Sequence, residues 1–378
     1  MVARENVLDQ TRENLVDYFV AHGHKSFRAT QLMQWIYHKL QLKFDAYSNM
    51  SAALRVELAE RFEIRVPEIL SVHESRDGTV KWLMQAFSGD HIETVLIPDR
   101  HRQTLCISSQ LGCVLDCTFC ATGKQGFNGN LSVGEIVGQA VQAALWLQEH
   151  RPDDRISNIV FMGMGEPLLN YDTAMKATQI FRDDLGFGLS RRRVTISTAG
   201  VVPAILDMCG RTTIALAVSL HAPNDEVRNE LVPLNRKYPI ASLLAACREY
   251  LSSQDVKAII TFEYALIRGV NDSPTLAREL ARLLRDFRCK VNLIPFNPFP
   301  GSGYRRPSES RIRAFQQILM DRGVMAMTRT TRGDDIDAAC GQLVGRVADR
   351  TKRAERYRRG ENPIFVPVET IPTTSLAG

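Results

Sequence analysis

The sequence predicts an α/β fold, built as an open, partial barrel of the (β/α)6 type behind a small N-terminal helical domain. Apolar runs predict six buried strands, at residues 104–109, 156–163, 194–198, 214–220, 258–266 and 291–296. Helical patterns separate most of these runs, and strands that alternate with helices indicate parallel βαβ units. Six units are fewer than the eight of a closed TIM barrel, so we expect the barrel to stay open.

Helix start signals support the strand–helix alternation. Ser132 and Glu135 have the spacing of a capping box, in which each side chain bonds the other residue's backbone. Ser273 precedes Pro274, and proline is favoured at the first helical position. Ser26 and Ser51 are the corresponding N-cap candidates near the N-terminus.

The chain divides into four predicted regions. Three short amphipathic helices predict a helical, RNA-binding-like domain at 1–75, although a simply packed bundle explains the same pattern. From Val80 to Ala86 apolar residues alternate, which predicts a β-hairpin and linker at 76–100. The partial barrel follows at 101–335, and a C-terminal segment occupies 336–378.

Composition limits the class of protein. The 378 residues include 47 Lys and Arg against 42 Asp and Glu, so a net charge of +5 indicates no strong general affinity for nucleic acid. The N-terminus has no apolar signal segment, and no run is long enough to predict a membrane span. With 8 cysteines and no secretion signal, we expect a reducing, cytoplasmic location.

Three closely spaced cysteines, Cys113, Cys117 and Cys120, are the most informative motif. Such clusters in a reducing compartment favour a metal centre over disulfides. Zinc normally takes four ligands in a structural site, whereas an iron–sulfur cluster with three thiolates keeps one iron open for another ligand. The spacing also fits one face of a helix, but the preceding Gly112 and the included Asp116 favour a loop after a strand.

Polar residues follow the predicted strands where such a barrel places its chemistry, at the carboxyl ends. Gly165 and Glu166 follow the second strand, and a glutamate there can accept hydrogen bonds from a ligand ammonium group. His221 is either a ligand contact or a satisfied core histidine. The other strand-end candidates are Ser197, Ser219 and Asn297.

The CxxxCxxC spacing resembles the signature of the radical S-adenosylmethionine (SAM) enzymes. The chain also resembles, from its N-terminal domain to about residue 350, the RlmN family of radical SAM methyltransferases, which methylate C2 of adenine in RNA. The resemblance rests on residues 92–98, 106–113, 161–167, 219–221 and 332–342.

The resemblance implies a radical SAM core, a [4Fe-4S] cluster and two SAM molecules per turnover. It assigns cluster ligation to Cys113, Cys117 and Cys120, and SAM binding to Gly165, Glu166, Ser197, Ser219, Leu220, His221 and Asn297.

The implied reaction also uses residues outside the cluster motif. Cys340 first accepts a methyl group, a radical removes hydrogen from it, and the carbon joins adenine as a covalent protein–RNA intermediate. Cys106 resolves this intermediate through a disulfide with Cys340, and Glu93 matches the family's proton acceptor.

The implied substrates are an adenine of 23S rRNA, in the peptidyl-transferase centre, and an adenine of the tRNA anticodon loop. The same resemblance implies an electron donor such as flavodoxin, no membrane partner and a monomer.

Two other functions are compatible with these residues. A related antibiotic-resistance methylase modifies adenine C8 with the same cysteines, and a non-catalytic RNA-binding protein could hold structural zinc. Seven basic residues between 346 and 359 predict either a solvated helix face or a phosphate-contacting patch, to which Arg191–Arg193 could add.

Overall fold

An N-terminal helical module begins the computed structural model, which describes residues 4–99 and 102–345. Its three α-helices are α1 (Arg12–Ala21), α2 (Phe27–Met33) and α3 (Ala52–Arg61). Two short strands, β1 (Glu5–Asn6) and β2 (Phe62–Glu63), pair in parallel and join the start of the module to its end. The predicted apolar faces are buried, with the side chains of Leu15, Phe19, Leu32, Ile36, Leu54, Leu58 and Phe62 in the core.

Two details of this module differ from the sequence prediction. A π-helical turn, Gln34–His38, extends α2, and Leu40 lies beyond it with a φ of 50° and is only half-buried. Ser51 accepts a hydrogen bond from the amide of Leu54 and caps α3 as predicted. Ser26 has helical backbone angles and makes no capping bond, so its predicted N-cap role is wrong.

Antiparallel strands open the main sheet. They are β3 (Glu68–Glu74), β4 (Val80–Gln85) and β5 (His91–Asp99), and β5 pairs in turn with β6 (Arg102–Cys106). Trp82 on β4 is fully buried, because alternate residues of this strand face the helical layer. Full burial of a large apolar side chain contributes about 1.5–3 kcal/mol, so this face anchors the hairpin firmly.

Parallel strands form the rest of the sheet. A separate antiparallel pair, β7 (Gln110–Gly112) and β8 (Phe127–Asn130), precedes them in the chain. The parallel strands after β6 then pair in chain order: β9 (Asn158–Phe161), β10 (Val194–Thr198), β11 (Ala215–Ser219), β12 (Ile260–Leu266), β13 (Cys289–Pro295) and β14 (Ala326–Thr328). Within the described residues the sheet has ten strands, with β3 and β14 at its edges, which confirms the predicted open barrel.

Helices connect the parallel strands. They are α4 (Ala121–Gln125), α5 (Val133–His150), α6 (Tyr171–Arg182), α7 (Val202–Asp207), α8 (Asp225–Leu231), α9 (Ile240–Ser252), α10 (Pro274–Leu284) and α11 (Glu309–Met320). Ser132 and Glu135 form the predicted capping box of α5, and Ser273 caps α10. In residues 4–99 and 102–345, no helix combines the length and the apolar character that a bilayer crossing requires.

The sheet extends beyond the predicted barrel in both directions. β14 adds a seventh parallel strand, which the sequence did not indicate because it has three residues and an exposed Met327. The hairpin at 76–100 is not a separate linker, since β4 and β5 continue the barrel sheet, and β3 lies inside the predicted helical region 1–75. The four domain boundaries otherwise remain predictions.

Candidate active site at the carboxyl ends of the parallel strands

One cavity collects most of the predicted site residues. It lies where the parallel strands end, and the loop after β7 closes one side of it. Ten predicted residues line it: Cys113, Cys117, Cys120, Gly165, Glu166, Ser197, Ser219, His221, Asn297 and Cys340. Leu220, Cys106 and Glu93 do not line this cavity, and they are described separately below.

The three-cysteine stretch is a loop, as predicted, and not a helix. Gly112 leads into it with a φ of 77°, and a Cβ there would lie 2.1 Å from the carbonyl oxygen of Gly126. Only glycine fits this approach. The amide of Cys113 donates to the same Gly126 carbonyl (2.8 Å), and Cys120 is the residue before α4.

The thiols suit a multinuclear cluster. Burial, and then the neighbouring Cys113 and Cys120 thiols, raise the pKa of Cys117 well above its usual range. Three adjacent thiolates therefore need a strongly positive partner, which iron supplies. Within the described chain no three Cys, His, Asp or Glu side chains converge as ligands of a single metal ion. A four-iron cluster does not require that convergence, because each thiolate binds a different iron.

Close packing of the backbone beside the cavity explains why residue 165, after β9, is a glycine. Gly165 has a φ of 103°, and a Cβ there would lie 2.5 Å from Cβ of Gln110. The Gln110 side-chain oxygen accepts the amide of Glu166 (2.9 Å), which fixes the turn. A side chain at 165 would therefore displace the turn that presents Glu166 to the cavity.

Glu166 is a buried carboxylate with room for a further partner. Its oxygens accept the amides of Leu168 (3.1 Å) and Ala199 (2.7 Å). Burial raises its pKa to about 7 despite these hydrogen bonds. Each carboxylate oxygen can accept more than one hydrogen bond, so an ammonium group in the cavity remains an available partner.

His221 is neutral in this site. Burial lowers its pKa to about 3, and Nδ1 accepts the amide of Ala265 (2.9 Å), so the proton is on Nε2. Its φ is 59°, an uncommon value that exposes the ring to the cavity beside Phe119, whose centroid lies 4.5 Å away. Leu220 contributes differently from its neighbours, since its side chain is fully buried in the core.

A buried arginine that the sequence did not indicate supports the strand-end loops. Arg228 on α8 donates to the carbonyls of Ala199 (2.6 Å), Ser219 (3.0 Å) and Leu220 (3.0 Å). Burial lowers its pKa to about 10, so it stays charged at neutral pH. Nothing in the local sequence distinguishes this arginine from an ordinary helix-surface residue.

Cys340 approaches the cavity from the far end of the chain. The Asn297 amide donates to its carbonyl (3.4 Å), and the amide of Ala121 donates to the carbonyl of Gly341 (2.8 Å). The Arg329 guanidinium donates to Cys340 Sγ (2.9 Å). Sequence reasoning missed Arg329, which follows the unpredicted strand β14.

Cys106 lies at the end of β6, close to Cys340. Burial and then the Cys340 thiol raise its pKa to about 12. All eight cysteines are thiols in this structure, so the disulfide between Cys106 and Cys340 is not formed here and remains a prediction for the reaction cycle.

Two buried glutamates complete the surroundings. Glu263 on β12 lines the cavity, and burial raises its pKa against the opposing charge of Arg329. A glutamate inside the apolar run 258–266 was a signal that sequence reasoning did not use. Glu93 on β5 is 5% exposed and bonds Lys81 and the amide of Val344 instead of facing the cavity.

Arg191–Arg193, the described part of the predicted basic patch, do not lie at this site. Arg191–Arg193 precede β10, at the amino ends of the strands and opposite the cavity, and Arg191 pairs with Asp255. Whether they add to the run 346–359 therefore stays a prediction. The basic run 346–359 lies outside the described residues.

Comparisons with known proteins agree with this site. Residues 107–280 match the radical SAM superfamily, and residues 5–64 match the ribosomal RNA large subunit methyltransferase N-terminal domain. A crystal structure of a radical SAM methyltransferase from Sphaerobacter thermophilus has a TM-score of 0.84 and 45% sequence identity, covering 90% of this chain and 99% of its own. The fold and the cavity thus define a radical SAM methyltransferase.

Relatives over nearly the full length narrow the class. A dual-specificity RNA methyltransferase RlmN from Marinobacter nauticus is 55% identical, across 93% of this chain and 96% of the relative. The protein of the same name from Marinomonas sp. is 52% identical, across 94% and 97%. The chain belongs to the RlmN family.

Proposed function

We propose that this protein methylates C2 of an adenine in RNA, in the peptidyl-transferase centre of 23S rRNA and in the tRNA anticodon loop. The RlmN relatives, named as dual-specificity RNA methyltransferases, support an RNA substrate. The observation on which the mechanism rests is that Cys340 shares one cavity with the three-cysteine loop and the SAM-binding candidates. A methyltransferase that passes the SAM methyl group directly to its substrate needs neither a three-cysteine loop nor a further cysteine facing that loop.

The cavity residues fit both cofactors. Cys113, Cys117 and Cys120 would hold the [4Fe-4S] cluster, and Glu166, Ser197, Ser219, His221 and Asn297 would hold SAM. Once bound, cluster and SAM supply a methyl group and a 5′-deoxyadenosyl radical, at a cost of two SAM molecules per turnover, and a flavodoxin-type protein supplies the electron. Neutral His221 and buried Glu166 offer directional hydrogen bonds without bulk water around the reacting atoms.

Cys340 is the proposed covalent catalyst. A thiolate can attack the methyl group of a sulfonium and release the thioether, whereas the electron-poor C2 carbon of adenine cannot. Arg329 donates to Sγ of Cys340 and thereby holds the sulfur in one orientation. Removal of one hydrogen atom from the methylated cysteine then gives a carbon-centred radical that bonds adenine C2. This adduct loses the C2 proton and one electron, and a bound cluster would be the electron acceptor.

Cys106 is the proposed resolving thiol. Its thiolate attacks the Cys340 sulfur, so that an S–S bond forms as the bond from sulfur to the transferred carbon breaks. The released carbon takes a proton and becomes the methyl group, and a dithiol reductant returns two electrons to the disulfide. Glu93, which lies beside the stretch that contains Cys340 and does not line the cavity, is the proposed acceptor of the C2 proton.

Anaerobic incubation with SAM, a reductant and unmodified 23S rRNA or tRNA tests the proposal, with mass spectrometry of the digested nucleosides. We expect 2-methyladenosine from both RNAs. 8-Methyladenosine instead would assign the chain to the resistance-type chemistry, and unmodified adenosine would refute the proposed activity. Sedimentation of the same sample tests whether the protein is a monomer, as expected. The proposed RNA substrates also imply a cytoplasmic location.

A further inference from the structure

A buried ion pair lies beside the segment that contains Cys340. Lys81 Nζ and Glu93 Oε1 are 3.1 Å apart, and their side chains are 11% and 7% exposed. Lys81 is on β4, and Glu93 on the neighbouring β5 pairs with Leu83, two residues along β4 from Lys81. Both side chains therefore project from the same face of the hairpin, the face away from buried Trp82.

This pair bonds both ends of one short stretch, residues 337–344, which we call the Cys340 segment. Lys81 Nζ donates to the carbonyl of Asp337 (3.2 Å), at the start of the segment. Glu93 Oε2 accepts the amide of Val344 (2.8 Å), at its end. Cys340 lies midway between the two bonded residues, so the pair fixes the span on which the methyl carrier is presented.

The same hairpin holds the residues just before the segment. Asp77, in the turn between β3 and β4, accepts the amide of Gly333 (3.1 Å). Ser75 donates to Asp335 (2.5 Å). Asp337 itself has a φ of 50°, which non-glycine residues seldom adopt without support from their surroundings. The hairpin is thus a continuous cradle for residues 333–344, and Lys81 is its buried cation.

We propose that Lys81 is a positioning residue that couples the charge of Glu93 to the placement of the Cys340 segment. While Glu93 is ionised, Lys81 holds Glu93 and Asp337 together, and Cys340 faces Arg329 and the cavity. When Glu93 takes up a proton, its attraction to Lys81 weakens, and the segment is released at the step where Cys106 must reach the Cys340 sulfur. This second consequence rests on the proposed function, whereas the positioning role does not.

The charged groups around Glu93 set the sign of the expected pH effect. Burial raises the pKa of Glu93, and the neighbouring Lys81, the Val344 amide and His73 on β3 oppose that rise. Loss of Lys81 removes the largest opposing charge, so Glu93 should need a higher pH to ionise.

Hydrogen exchange of the anaerobically purified full chain tests the positioning role directly. In Lys81→Met, peptides covering 337–344 should exchange at least about tenfold faster, because hydrogen bonds to charged groups are stronger than neutral ones. Lys81→Arg should exchange nearly as slowly as the wild type. Lys257→Met, at an exposed lysine, is the matched control and should not change these peptides.

The activity readouts separate positioning from general damage. With Lys81→Met, kcat should fall with little change in KM for RNA, and the acid limb of the pH profile should move to higher pH. Lys81→Arg should restore both. Peptides from β12 report whether a variant is folded. If they show that Lys81→Met does not fold, Glu93→Gln removes the same ion pair and should show the same faster exchange at 337–344.

Unchanged exchange at 337–344 in a folded Lys81→Met or Glu93→Gln variant would overturn the proposal. Exchange in Lys81→Arg as fast as in Lys81→Met would also overturn it. If no variant and no wild-type sample methylates RNA, the proposed function fails, but the exchange result still decides the positioning role.

Discussion

The loop at 113–120 and the Cys340 segment face the same cavity, but different kinds of contact hold them there. Near neighbours bond the two ends of the loop, since the amide of Cys113 donates to Gly126 and the amide of Cys120 donates to the carbonyl of Cys117. Between them, Thr118 bonds the distant residues Leu231 and Tyr304. The Cys340 segment depends on residues far away in the chain, with Glu93 and Thr122 among its partners. The two cysteines at the ends of the loop are therefore held largely by local bonds, whereas the proposed methyl carrier, Cys340, is placed mainly by the tertiary fold.

This difference predicts two kinds of failure. Damage to the loop should remove the cluster and every later step. Damage to the Cys340 segment should leave the cluster and SAM cleavage in place and impair only the steps that use the carrier thiol. The following predictions test this separation, from the largest expected effect to the smallest.

The largest effect is expected for Cys117→Ala. Wild-type protein prepared without oxygen should hold about four irons per chain, and the variant should hold almost none, because two thiolates do not retain the cluster. SAM cleavage should fall to background in parallel. Cys209→Ala, outside the cavity, is the control and should retain its iron. Stoichiometric zinc in place of iron would contradict the cluster assignment.

Arg329→Leu should affect only the second region. Loss of its hydrogen bond to Cys340 Sγ should slow methyl uptake by roughly tenfold to a hundredfold, as expected for a bond with a charged donor. Intact-protein mass spectrometry without RNA follows this step as the gain of one methyl group. Arg329→Lys, which keeps the charge without the planar fork, should be intermediate. Loss of iron from Arg329→Leu would show that the two regions are not separate.

Glu166 gives a pH-dependent prediction for the proposed SAM site in the same cavity. Its pKa of about 7 means that it becomes ionised, and able to pair with an ammonium group, as the pH rises to that value. SAM binding should therefore weaken by up to about tenfold for each pH unit below 7. His221, with a pKa of about 3, should not titrate in this range. Equilibrium dialysis with Glu166→Gln should show weaker SAM binding that no longer changes with pH near 7. If the pH profile of the variant matched that of the wild type, Glu166 would not be the group that binds the SAM ammonium.

The smallest effect is expected where the two regions touch. The Thr122 hydroxyl beside the cysteine loop donates to the carbonyl of Leu343 (2.8 Å). Thr122→Val keeps the volume and removes this hydrogen bond, together with the interaction of the hydroxyl with the Cys120 thiol, so exchange in the Cys340 segment should rise by about fivefold. Thr178→Val removes a hydroxyl bonded within its own helix and should leave the segment unchanged. Equal effects of the two substitutions would exclude a specific link.

The same contrast explains what the sequence could predict. The cysteine loop, the capping box at Ser132 and the strand-end positions of Glu166 and Ser197 follow from short-range patterns, which a single sequence records. The positions of Arg228, Arg329 and Lys81 depend on pairings across 8 to 256 residues, and their residue types are otherwise typical of a surface. Cys340 was assigned from family resemblance alone, because nothing near it in sequence predicts a nucleophile.

The most direct test of the account is to interrupt the reaction between its two distant thiols. Cys106→Ala should still take up the methyl group and attack adenine, but it cannot form the disulfide that releases the product. We therefore expect a covalent protein–RNA species that survives denaturation and that nuclease digestion converts to a nucleotide-tagged Cys340 peptide. The Cys106→Ala, Cys340→Ala double variant should form none. Normal turnover by Cys106→Ala, or an adduct that persists without Cys340, would contradict the carrier-and-resolver mechanism.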